Sequence, residues 1–506
     1  MRLLRLTGML PAFLVGPVPA AQWTVVPVLS ASETFTDNVR LAPAGSERSD
    51  WVTQVTPGVT VTAAGSRLRF DAAYSAQFLS RFNEETKDVF HQLNAKGNAE
   101  LVQQLLFVDT SAAVFQSNVS LLGPQADSNI NNTGNRTNVR TFLISPYLHH
   151  AFGNYAQGEA RLTYSTVNTD STGSLSNSQA TGVNLSLGSG PSFKLYTWNL
   201  AYSKQNIDYN SGTTTQNPNI DTETVSAFGR RLLTPYVAVL STVGYEDNNY
   251  ITDGPAPKGL FWSTGFEWTP TPRTRLLITT GRRYFGPNRA LDFSHRTRLT
   301  VWSVNYSEDI TTTRSQFFVP SSVSTAGFLD TLFLSSIPDP AARQTAVQNF
   351  ITQNGLPPSL NNPLNFFTNI PFLTKGWRAS FGILGTQNSV MANVFTQTRF
   401  LTSGIQPGVV TDLSLTSSSK QTGASLLWTT RISSQTSSNV SAGYTRSESP
   451  EVSREDRYKF IRLSLTHQFQ PRLNGSLNYR WLQDSSNQTT AAYTENAVTA
   501  TVNMSF

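Results

Sequence analysis

The chain closes on AVTATVNMSF, Ala497 to Phe506, in which Val498, Ala500, Val502, Met504 and Phe506 alternate with Thr499, Thr501, Asn503 and Ser505. Successive side chains of a strand point to opposite faces, so this stretch has one apolar and one polar side. Such a strand can stand between hydrocarbon and water without misplacing a residue. The same period recurs upstream. Leu68, Phe70, Ala72, Tyr74, Ala76 and Phe78 alternate with Arg67, Arg69, Asp71, Ala73, Ser75 and Gln77. Tyr196, Trp198, Leu200 and Tyr202 alternate with Thr197, Asn199, Ala201 and Ser203.

From Trp23 onward the chain divides into alternating segments of about ten to fourteen residues, the length of a tilted strand crossing a bilayer. Brief turns such as Gly153-Asn154, Thr234-Pro235 and Gln470-Pro471-Arg472 alternate with long polar connections such as Ser117 to Asn135. In the middle, Phe261 to Trp268 turns at Pro270-Thr271-Pro272 into Thr274 to Tyr284, and Phe293 to Tyr306 turns through Ser307-Glu308-Asp309 into Thr312 to Phe318. The tally is about 22 strands, within a range of about 18 to 22, and an even number returns both ends to one side of a membrane. An open sheet in lipid would leave its edge groups unbonded at several kcal/mol each, so the sheet must close. The expected fold is an all-β transmembrane antiparallel barrel with one long extracellular loop containing short helices.

Composition agrees. Charged residues are 14% of the chain and aromatic residues 11%, yet mean hydropathy is −0.25 because Ser, Thr, Asn and Gln take the place of charges. No run of about 18 apolar residues follows the amino terminus, which argues against a helical span. Arg2 and Arg5, the apolar run Leu6 to Val18, and Pro19-Ala20-Ala21 have the three parts of a secretory leader, so residues 1–21 are expected to be removed. Losing two arginines takes the formal charge from +6 to +4, too little to argue for nucleic acid. With no cysteine, disulfides and thiolate metal sites are excluded.

Residues 319–373 break the rhythm. Pro338, Pro340, Pro357, Pro358, Pro363 and Pro371 surround two helical stretches, Thr325 to Ser335 and Pro340 to Gln353. Phe328, Leu332, Phe333, Phe350, Phe366 and Phe367 make the segment too apolar for plain disorder. It is expected either to fold inward as a plug or constriction or to cap the outside; wide barrels are commonly obstructed, which favours the first.

Four strings in order, PVLSASETFTDNVRL (Pro27 to Leu41), VTQVTPGVTV (Val52 to Val61), NYSEDITTT (Asn305 to Thr313) and YTENAVTATVNMSF (Tyr493 to Phe506), resemble the outer-membrane barrels associated with the PEP-CTERM and exosortase sorting system. Those proteins lie beside exopolysaccharide synthesis genes in Gram-negative bacteria. The terminal amphipathic strand ending in Phe506 likewise resembles the assembly signal of bacterial outer-membrane barrels. The resemblance implies an outer-membrane address, the lipid bilayer and the barrel assembly machinery as partners, and an association with exopolysaccharide export components. No cofactor is assigned, and the modest charge already leaves nucleic acid out as a partner.

The alternation sends Arg67, Arg69, Asp71, Glu159, Arg161, Glu267, Arg378, Arg462 and Arg480 to the lumen, as solvated wall residues or as a track for a hydrated or anionic solute. Trp51, Tyr74, Trp198, Tyr202, Trp262, Trp268, Trp428, Tyr479 and Trp481 fall on apolar faces, as membrane-interface anchors would; carbohydrate stacking in the pore is the alternative. His91, His149, His150, His295 and His467 have no nucleophile-elbow motif near them, and the His149-His150 pair lacks a carboxylate at zinc-site spacing, so no catalytic or metal residue is assigned. The function expected is a passive channel or export port. The alternatives are a non-conducting scaffold for export machinery and, third, an outer-membrane hydrolase.

Overall fold

The computed structural model describes residues 21–506 apart from 121–122, 171–176, 210–218, 404–417, 489–491 and most of 319–369. The expected leader, save Ala21, lies outside the described residues.

The first eleven strands are β1 (Gln22–Thr36), β2 (Asp50–Ala64), β3 (Leu68–Arg81), β4 (Thr86–Val102), β5 (Leu106–Asn118), β6 (Arg136–Phe152), β7 (Ala156–Thr169), β8 (Ser178–Ser189), β9 (Tyr196–Tyr209), β10 (Ile220–Thr234) and β11 (Val237–Asn248). The rest are β12 (Lys258–Thr271), β13 (Thr274–Arg283), β14 (Gly286–Arg296), β15 (Thr300–Thr311), β16 (Phe372–Leu384), β17 (Asn388–Leu401), β18 (Ser418–Arg431), β19 (Thr436–Ser449), β20 (Arg454–Gln470), β21 (Leu473–Ser486) and β22 (Tyr493–Ser505). Each strand pairs antiparallel with its sequence neighbours in one 22-stranded sheet, and β1 pairs with β22. The sheet is therefore a closed barrel. At the closing seam the register runs from Val28 opposite Ser505 to Thr36 opposite Ala497, and the Phe506 amide donates to the Pro27 carbonyl at 3.0 Å.

Two expectations fail near the long segment. Phe293 to Tyr306, expected as one strand, spans the end of β14, a turn and the start of β15. The Thr297 hydroxyl accepts the amides of Leu299 (3.2 Å) and Thr300 (2.9 Å), closing a turn that the surrounding alternation hid. Thr312 to Phe318, expected as a strand, is helix α1 (Thr313–Phe318). The Thr312 hydroxyl accepts the Ser315 amide and the Ser315 hydroxyl accepts the Thr312 amide, both at 3.2 Å, a reciprocal helix start. Of the two helical stretches expected beyond it, Ala326, Leu329, Asp330 and Phe333 are helical in the first and Arg343, Ala346 and Val347 in the second. Leu334 of the first stretch is a turn, and the remaining residues of both lie outside the described residues.

Connections at one end of the barrel are brief, as at 153–155, 235–236 and 471–472, while several at the other are long, as at 37–49, 119–135 and 312–371. Brief turns belong to the periplasm and long loops to the exterior. Large apolar side chains stand exposed on alternate positions, among them Val225, Val243, Trp262, Leu463, Leu477, Val498 and Val502. These form the lipid face of an outer-membrane barrel. Above Tyr202, Val225, Tyr245 and Tyr479 the next outward residues are Lys204, Glu223, Asp247 and Trp481, with Gln483 beyond. The strands thus rise past the hydrocarbon into the outer headgroup zone.

Candidate functional site

Inside the barrel the two sides of the wall differ. Arg69 and Asp71 on β3, Glu159 and Arg161 on β7, Glu267 on β12, Arg378 on β16, Arg462 on β20 and Arg480 on β21 occupy positions opposite to the exposed apolar residues of their strands. Arg67 does not. It lies in the turn before β3, where the Gly65 amide bonds the Leu68 carbonyl at 2.8 Å, and its guanidinium reaches Gln103 of the next turn at 3.1 Å. Arg67 belongs to the periplasmic rim because the chain must reverse there before alternation resumes.

The β3–β14 side carries ion-pair ladders in its periplasmic half. Arg161 pairs with Asp109 and Glu159, each at 2.8 Å, and its guanidinium lies 3.8 Å from the Tyr147 ring centre. Glu267 accepts from Arg230 (2.9 Å) and Arg275 (2.7 Å), and Arg275 also reaches Asp292 at 3.2 Å. Arg69, Asp71, Lys96 and Asn98 remain exposed to the lumen. The other side is covered, and its buried lumen-side residues are mostly uncharged: Asn393, Gln421, Thr429 and Asn439 are all buried, with Arg399 among them.

Part of that cover comes from the segment between β15 and β16. Leu329, Phe333 and Val347 pack with Val301, Met391 and Leu427, lumen-facing residues near the periplasmic ends of β15, β17 and β18. Spacing of four residues puts Leu329 and Phe333 on one helical face. At the outer end α1 crosses to the opposite wall. Its Arg314 donates to the hydroxyls of Ser165 (2.5 Å) and Ser178 (2.7 Å), and Phe317 packs on Val139 and Val167. Burial pushes the Arg314 guanidinium down to about 10, and these oxygens replace the water it lost. The segment therefore touches the lumen wall at both its outer and its periplasmic end.

The β5–β6 loop covers another part of the mouth. Asp127 forms an ion pair with Arg462, and Arg480 donates to Ser128 (3.0 Å), Asn131 (3.1 Å) and Glu495 (2.8 Å). Burial works against the Asp127 charge, but the guanidinium groups of Arg462 and Arg480 hold its carboxyl below the usual carboxylate range. On the same rim, burial opposes the charge of Glu84, and bonds from Asn132 and Arg40 bring its carboxyl below the ordinary value. Asp127 and Arg314 escaped the sequence reading. One sits in a polar loop far in sequence from its partners, the other in a segment expected to be a strand.

Trp51, Tyr74, Trp198, Tyr202, Trp262, Trp268, Trp428, Tyr479 and Trp481 stand on outward positions. Trp198, Trp268 and Trp428 lie close to the periplasmic strand ends and Trp51 close to an outer end, whereas Tyr74, Tyr202, Trp262, Tyr479 and Trp481 lie well inside their strands. The three tyrosine hydroxyls meet polar partners: His91 at 2.8 Å, Glu223 at 3.1 Å and Asn496 at 2.9 Å. Among the described residues no group of three or more metal-binding side chains gathers.

No family model matches the sequence, and no curated protein matches it. Solved outer-membrane structures resemble the fold. The FrpB iron transporter of Neisseria meningitidis superposes with a TM-score of 0.51 at 9% identity, over 96% of this chain and 81% of that one. The siderophore receptor PiuA of Acinetobacter baumannii gives 0.50 at 10% identity, over 96% and 82%. At such identity the likeness is one of fold: a large outer-membrane barrel.

Proposed function

We infer that the protein is a passive outer-membrane conduit whose lumen is narrowed from within. The observation that carries this reading is the contrast between walls: the β15–β18 side is covered by the chain's own inserted segment, while Arg69, Asp71, Lys96, Arg275 and Asp292 line an exposed side. Alternating charges along that side favour a hydrated solute over an apolar one. The resemblance to barrels of the PEP-CTERM and exosortase system makes exopolysaccharide or surface-protein delivery the process served, with export components as partners. Iron transport and siderophore reception, named for the two neighbours above, are alternative cargoes for the same architecture.

Deleting Ser321 to Ile370 and recording single-channel conductance in planar bilayers tests the narrowing. A folded barrel whose conductance rises supports it; unchanged conductance rejects it. A second reading, a non-conducting scaffold, is favoured by the two coverings of the mouth. It predicts no current from either protein.

A further inference from the structure

The hydrogen-bonded wall has an interruption that neither the conduit nor its narrowing explains. β4 and β5 pair from Val102 and Leu106 at the periplasmic end up to Leu93 opposite Val114, and there the ladder stops. Both strands continue. Thr86 to Gln92 stays paired with β3, and Phe115 to Asn118 stays paired with β6. Continuing the register would set Gln116 against His91. Instead the Gln116 side-chain amide reaches the His91 carbonyl at 3.1 Å, so a side chain bridges two strands that have parted.

The position of the breach is chemically particular. Its outward flank carries His91, bonded to the Tyr74 hydroxyl, beside the exposed apolar Val89 and Phe78. Across the breach the outward positions are polar: the Gln116 side-chain amide also donates to Asn138 at 3.0 Å, and Arg140 pairs with Asp170 at 2.6 Å. Its inner flank carries Gln77 and Gln92, at lumen-facing positions. Unbonded backbone groups cannot stand in hydrocarbon, but they can stand in the wet headgroup layer. The breach therefore joins the lumen to the outer leaflet at headgroup depth.

From inside, Ile130 of the β5–β6 loop packs in one cluster with Phe90, Phe317 of α1 packs with Phe115, and a single loop residue bonds both flanks of the breach. The Asn129 amide donates to Gln77 (2.6 Å) and Gln116 (3.0 Å), and its carbonyl accepts from buried Arg81 at 2.6 Å. The loop is held in turn by Asp127 on Arg462. The ladder between β14 and β15 also stops early, at Ala290 opposite Ser307, but there Arg283 reaches across to Asp309 at 2.8 Å as a charged staple. Among the described residues the β4–β5 breach has neutral amide bridges in place of such a staple.

We propose that the β4–β5 breach is a lateral gate through which an amphiphile moves between lumen and outer leaflet, with Asn129 as its bolt. The polar end of such a molecule would travel on the lumen side while its apolar chain stays in the bilayer. This use depends on the barrel's placement in the membrane and not on the conduit reading, so it can fail or stand separately.

The chain's freedom from cysteine permits a direct test. Gln92→Cys places a thiol on the inner flank. Gln205→Cys places one on the lumen face of β9, where the ladders to β8 and β10 are complete. Each folded variant is reconstituted in vesicles containing a phospholipid with a maleimide on its headgroup, with a water-soluble maleimide confirming that both thiols are open. With the loop intact, lipid-linked labelling should be slow at both. Adding Asn129→Ala removes the two side-chain hydrogen bonds, leaving the one its backbone carbonyl accepts, and should speed labelling of Gln92→Cys by tenfold or more, leaving Gln205→Cys unchanged. Asp127→Asn, which frees the loop without touching Asn129, should act in the same direction. Equal slow rates at both thiols in every background would overturn the gate. So would equal fast rates, which would mean the probe passes over the rim.

Discussion

Asp127, on the loop between β5 and β6, is ion-paired with Arg462 of β20, across the seam where the barrel closes. Removing the acid leaves the guanidinium groups of Arg462 and Arg480 facing each other in a site that keeps little water. Breaking a buried pair costs about 3–5 kcal/mol, and the low end applies because Arg462 retains 27% of its side-chain surface. Asp127→Ala should therefore detach the loop. Limited proteolysis of the reconstituted barrel should then cut within residues 119–135, which the parent protein resists.

The same pair sets a pH dependence. The folded carboxyl of Asp127 titrates below the ordinary value of 3.8, so its contribution is present above that value and is lost as pH falls through the lower folded one. Arg462, Arg480, Arg136, Tyr458 and Tyr493 surround it and stay protonated throughout this range. Loop protection against protease should be flat from neutral pH to about 5 and fall only below about 4. A transition near pH 6 would show that another group holds the loop.

Leu329 is fully buried between the inserted segment and the inner wall. Leu329→Ala should weaken docking of that segment by about 2–5 kcal/mol while leaving the strand ladders intact. The expected result is frequent steps to higher conductance in single-channel records. Unaltered current with unaltered folding would mean that this end of the segment does not obstruct flow.

Phe70 and Arg69 are adjacent residues assigned to different solvents. Phe70→Cys carrying a fluorophore should be quenched by lipid-borne quenchers and spared by iodide, and Arg69→Cys should show the reverse. Matching quenching of the two would break the alternation on which the barrel rests.

The sequence pattern revealed the faces because lipid and water demand opposite side chains at every second position, as in Leu68 to Phe78 and again in Ala497 to Phe506. It revealed the orientation through loop length. It misread Thr312 to Phe318 because a short helix inside a lumen satisfies no membrane period; Arg314 and Phe317 answer to Ser165 and Val167 on β7, far away in sequence. Loop 119–135 reads as solvated Asn and Ser, and only the folded wall brings Arg462 and Arg480 within reach of Asp127. The parting of β4 from β5 is not legible in the sequence: Val89 and Phe90, both apolar, interrupt the alternation there, but such an interruption says nothing of where the backbone bonds stop.

The bond from the Phe506 amide to the Pro27 carbonyl carries a consequence for biogenesis. The ring cannot be completed until the final residues have been made and have met the first strand. Until then two sheet edges stay uncapped and invite pairing with any passing chain. Transit to the membrane must therefore be escorted from start to finish, and a ribosome that stalls in the last turn would release a ribbon with nowhere safe to fold.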